Sequence, residues 1–125
     1  MSGQHLPPDH SRGDASTVGG YAAVHARPAA FEGADGASYT VEIMVEETGD
    51  AAGPYGAYFL FVRWSAGVPA LAGHVESDFL ARARTPAASR EALGRMPLAD
   101  VKRTLDALIR RRDTPSDVGA GERAE

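Results

Sequence analysis

Residues 38–48 alternate between apolar and polar positions, with Tyr39, Val41, Ile43 and Val45 on one side and Thr40, Glu42, Met44 and Glu46 on the other. A period of two is the geometry of an extended chain, so this segment is predicted to be a half-buried antiparallel strand. Residues 27–32, with Phe31, precede it. The Asp35-Gly36 pair between these apolar stretches marks a hairpin turn, because both residue types accept positive φ. Residues 21–26 fit either a further strand or part of a tail. Residues 49–56, with Asp50, Gly53, Pro54 and Tyr55, read as a hairpin connection or a mobile lid over a ligand. In residues 57–65, Tyr58, Leu60, Val62 and Trp64 share one side and Phe59, Phe61 and Arg63 the other. A strand apolar on both sides is normally central. Gly67 and Pro69 end it, and residues 71–80 form a fourth strand with Leu71, Val75 and Phe79 opposite His74, Glu76 and Asp78, Gly73 marking a bulge.

The periodicity then changes. Thr85 is a suitable N-cap and Pro86 occupies the first helical position, where its missing N–H costs nothing, so a short helix is predicted to run to about Gly94. Met96 and Pro97 separate it from a second helix whose Leu98, Val101, Leu105, Leu108 and Ile109 recur at spacings of three and four as one apolar stripe. Arg110, Arg111 and Arg112 close that helix, where positive charge suits the negative end of its dipole. The predicted fold class is α+β: a four-stranded antiparallel β-meander followed by two C-terminal helices packed on the face built from Tyr39, Val41, Ile43 and Val45. The phase of one strand against the next is left open by the pattern. Residues 1–20 and 113–125, rich in Gly, Pro, Ser and charge, are expected to be flexible tails around a single domain at 21–112.

A chain of 125 residues has room for one core, and a folded part this small makes oligomerisation a reasonable expectation. There is no cysteine, which excludes disulfides, zinc ribbons, iron–sulfur clusters and a thiol nucleophile. The first twenty residues lack the apolar run of a secretory signal and no run approaches membrane-spanning length, so a soluble, cytoplasmic protein is expected. The net charge of −4 conceals a division: residues 1–80 carry three basic and ten acidic side chains, residues 81–125 ten basic and seven acidic.

Candidate chemistry is sparse. If the helices cover one face of the sheet, the other is expected to carry Met44, Phe59 and Phe61 beside Glu42, Glu46, Arg63, His74 and Glu76. Such a face would be a surface for a protein partner or a second copy of the chain, unless a dimer or the N-terminal segment buries it. His74 and Glu76 have the residue types of a small hydrolase or isomerase, but they are two apart on a polar strand face and no nucleophile elbow, HExxH pair or phosphate loop accompanies them. No catalytic residue, cofactor or metal is assigned. His5, Asp9 and His10 are ligand types on a tail, and Arg12, Gly13 and Asp14 spell an adhesion tripeptide by chance. Carboxylates make the sheet a poor platform for RNA. The Arg-rich helical half, including Arg110, Arg111 and Arg112, offers the alternative of a nucleic-acid-binding regulator. The preferred reading is a non-catalytic interaction or assembly module that binds through Met44, Phe59, Phe61, Arg63 and His74 or through Arg110, Arg111 and Arg112.

Overall fold

The computed structural model describes residues 11, 13–64 and 73–113. Leu71, Gly67, Pro69, His5, Asp9, His10 and Arg12, like most of both expected tails, lie outside the described residues. The elements in order are α1 (Val18–His25), β1 (Ala30–Glu32), β2 (Ser38–Glu47), β3 (Tyr55–Trp64), β4 (His74–Glu76), β5 (Ala81–Ala83), α2 (Pro86–Gly94) and α3 (Leu98–Asp113). Strands β1 to β4 form an antiparallel meander and α2 and α3 follow it, as the sequence pattern predicts; α1 and β5 are additions.

The sheet is organised by the β2–β3 hairpin, paired from Ser38 opposite Trp64 to Glu47 opposite Tyr55. Its connection is a closed turn: the Thr48 amide donates to Pro54 O at 2.9 Å and the Thr48 hydroxyl to Gly53 O at 2.7 Å. Both bonds hold residues 48–54 in place as a structural turn. At the other end of β2, Gly36 takes φ +83° in the turn from β1, and the Asp35 carboxylate accepts the Ala37 amide. The Asp-Gly signal is therefore real, with glycine alone supplying the positive φ.

β4 and β5 lie end to end along the free edge of β3. Between the pairs Leu60↔Glu76 and Ala57↔Ala81, β3 has two residues and the opposing chain four, so the bulge lies at residues 77–80, not at Gly73. Its backbone is not abandoned. Ser77 N–H donates to Phe59 O, the Ser77 hydroxyl accepts the Phe59 N–H, and Leu80 N–H donates to Ala57 O, all at 2.8–2.9 Å. The bulge swings Phe79 over Gly56, where a β-carbon would collide with the ring. Gly56→Ala is accordingly expected to displace Phe79 and cost about 1–3 kcal/mol of stability, read as a lower urea midpoint with an unchanged slope.

The three described helices lie over one face of the sheet. Val101, Leu105, Leu108 and Ile109 of α3 and Leu93 of α2 are buried in one cluster with Tyr39, Val41, Phe59 and Phe61, as the apolar stripe requires. Thr85 caps α2 by accepting the Ala88 amide at 3.1 Å. Helix α1 begins at Val18, inside the segment expected to be a tail, and takes in residues 21–25, with Ala26 ending it in the left-handed region at φ +56°. Thr17 caps it by accepting the Gly20 amide at 3.0 Å, and the preceding residues are stitched to the α2–α3 connection through Val18 N–H to Met96 O and Leu98 N–H to Ser16 O. Among the described residues, no helix is long and apolar enough to cross a membrane.

Candidate functional site

Residues opposite each other in an antiparallel pair point to the same side. Phe61 stands opposite Val41, Phe59 opposite Ile43 and Arg63 opposite Tyr39, which puts all three on the helix-covered face. Phe59 and Phe61 are 0% exposed, with ring centroids 5.7 Å apart. This corrects their expected place on an open binding face: they are the centre of the core. The open face instead carries the other side of β3, namely Tyr58, Leu60, Val62 and Trp64, beside Thr40 and Met44 of β2. A signal for this was present in the residue types. Tyr and Trp combine an apolar body with a polar tip that seeks a partner near water, while Phe has none. The Trp64 indole N–H donates to Thr40 Oγ1 at 3.0 Å and the Tyr58 hydroxyl to Glu46 Oε2 at 2.7 Å.

Arg63 and Arg112 also have a structural task. Asp35, with only 13% of its side chain exposed, accepts from the Tyr39 hydroxyl at 2.8 Å and from both guanidinium groups at 3.2 Å. Burial pushes the Asp35 carboxyl upward, but the hydrogen bonds from Tyr39, Ala37, Arg112 and Arg63 outweigh it and hold the group well below the usual carboxylate range. The cluster joins the β1–β2 turn, β3 and the end of α3. Arg110 and Arg111 are exposed on the last turns of α3.

The open face is apolar at its centre and acidic around it. Met44 is 37% exposed, and Leu60, Val62 and Trp64 are half-buried. Glu42, Glu46 and Glu76 stand on the same side, as does His74, which lies 3.6 Å from Glu76 with both side chains at least half exposed. That exposure leaves the His74–Glu76 pair without the water-excluding walls a catalytic dyad uses. At one end of the face a cleft of about 490 Å³ is lined by Glu46, Tyr58, Glu76, Asp78, Phe79 and Arg82. Phe79 meets Tyr58 edge to face at 5.9 Å, and the Arg82 guanidinium sits 5.5 Å above the Phe79 ring. The bond to Glu46, then burial and the nearby Glu46 and Glu76 charges, push the Tyr58 phenol up to about 12. Replacing Glu46 with Gln is expected to return it toward ~10, read from the pH dependence of tyrosinate absorbance.

A larger groove, about 860 Å³, opens where α1, α2 and the outer edge of β2 meet, with Ala22, Ala29, Val41 and Ile43 among its walls. Beyond the Val41 amide, which donates to Ala29 O, no described strand pairs with this edge, and Arg90 covers it by donating to Ile43 O at 2.9 Å. Of the side chains named for the expected binding face, Glu42 lines this groove, while Met44, Phe59, Phe61, Arg63 and His74 do not. Among the described residues, no group of three or more His, Cys, Asp or Glu is placed to hold a metal ion.

No family model matches the chain, and no curated protein or solved structure resembles it significantly.

Proposed function

We propose that the protein is a small non-catalytic interaction or assembly module that binds a protein partner, or its own copy, through the open face of its sheet. The observation that carries this reading is the one-sided coverage of the sheet. All three described helices lie over the Phe59–Phe61 face, leaving Met44, Leu60, Val62 and Trp64 as a contiguous apolar strip on the other. Strips of this kind on small domains mark interaction surfaces. His74 belongs to that surface. Phe59 and Phe61 support it only from below, and Arg63 and Arg112 are committed to Asp35.

The nucleic-acid alternative loses support from the ion pairs. Arg82 pairs with Asp50, Arg95 with Glu91, Lys102 with Asp106 and Arg103 with Asp100, so much of the positive charge of the helical half is already compensated. The test is a double variant, Met44→Ser with Leu60→Ser, which alters the face without touching the core. Its folding is expected to match the parent. Any concentration-dependent association or partner binding of the parent, followed by sedimentation velocity, is expected to be lost. Association that survives the double variant and is lost in Arg110→Ser with Arg111→Ser moves the interface to α3. Salt-sensitive retention on heparin above that of an acidic control protein supports the nucleic-acid reading instead.

A further inference from the structure

Resting on the open-face reading, we infer that the occupant of this surface is a basic, apolar segment of another protein, whose aliphatic side chains cover Met44, Leu60, Val62 and Trp64 and whose Lys or Arg enters the Tyr58–Phe79 cleft. The inference follows from charge. Glu42, Glu46 and Glu76 project from the same side as the apolar strip, and Asp78 lines the cleft at its end. Arg82 is the basic side chain in the cleft, and it already pairs with Asp50. A partner that buries this face must therefore bring positive charge to it, since an uncompensated buried carboxylate is costly.

The same arithmetic disfavours a second copy. A two-fold contact through one shared patch sets each residue against its own neighbours. Here that places the glutamates of one protomer against the glutamates of the other. A head-to-tail contact with α3 supplies arginines, but its outward positions Ala99, Arg103, Ala107 and Arg110 offer no large apolar side chain to cover Met44 and Leu60. The cleft, by contrast, suits a cation. The Phe79 ring is already engaged by the Arg82 guanidinium at 5.5 Å, so the carboxylates are what an incoming Lys or Arg meets. Asp78, Glu76 and Glu46 stand around the same space.

The probe is a displayed library of random twelve-residue peptides (about three helical turns or an extended strand of ~40 Å) selected on the full chain and, in parallel, on the Met44→Ser, Leu60→Ser double variant. The expected result is enrichment of sequences that combine Leu, Ile or Phe with Lys or Arg, at least tenfold weaker on the double variant and on Glu46→Gln, Glu76→Gln, and weakened by salt. Enriched peptides without basic residues that still require Met44 and Leu60 overturn the charge inference and leave the open-face reading standing. Enrichment that is equal on parent and double variant, or none on either, overturns both.

Discussion

Phe61→Ala is expected to lower the stability of the domain by about 3–5 kcal/mol, enough to unfold much of a population whose total stability is of the order of 5–10 kcal/mol. Phe61 is fully buried opposite Val41 and Val75, beneath α3, where the void left by a ring has few ways to collapse. The matching truncation one strand away, Met44→Ala, removes a side chain that already keeps 37% of its surface in water and is expected to change stability by less than about 1 kcal/mol. Urea unfolding of the two variants measures both. The contrast matters because a shift of β3 by one position against β2 would turn Phe61 to the same open side as Met44 and make both truncations mild.

Asp35→Asn is expected to cost roughly 1.5–3 kcal/mol, since hydrogen bonds to a charged group are worth more than neutral ones. The figure stays below that of a fully buried ion pair because Arg63 and Arg112 keep 33% and 39% of their side chains exposed. The substitution leaves both guanidinium groups facing a neutral amide. Its dependence on pH has a definite sign. The folded-state pKa of Asp35 is depressed, so its stabilisation is fully present above the unfolded carboxyl value of about 3.9 and declines as pH falls below it. The stability difference between parent and Asp35→Asn, measured by urea unfolding from pH 6 downward, is therefore expected to be constant at first and to shrink below about pH 4. A difference that grows in acid contradicts the assignment.

Much of the fold is written locally. The alternation of β2, the cap at Thr85, Pro86 at the start of α2 and the stripe of α3 each depend on residues within a few positions of one another, and all appear where the pattern places them. Helix α1 is different: in Val18–His25 two glycines and an apolar character on every side leave no stripe to recognise, and its position is fixed by contacts with residues near 96. Only the cap residue Thr17 announces it. The open face depended on a single non-local quantity, the phase of β3 against β2. A strand apolar on both sides fits either phase, and the closure of residues 48–54 selects the one that buries Phe59 and Phe61. The arginines illustrate the same limit, because Arg63 and Arg112 are distant in sequence and meet only at Asp35.

The central claim, that the sheet has one sealed face and one open to a partner, is tested most directly by thiol accessibility, for which a chain without cysteine is well suited. Single cysteines replace Met44 and Val62 on the open side and Val41 and Ala57 on the covered side, and the rate of labelling by a small thiol reagent is followed on the dilute, folded protein. Residues 44 and 62 are predicted to react many-fold faster than 41 and 57. Equal protection at all four positions, or faster reaction at 41 and 57, would contradict it.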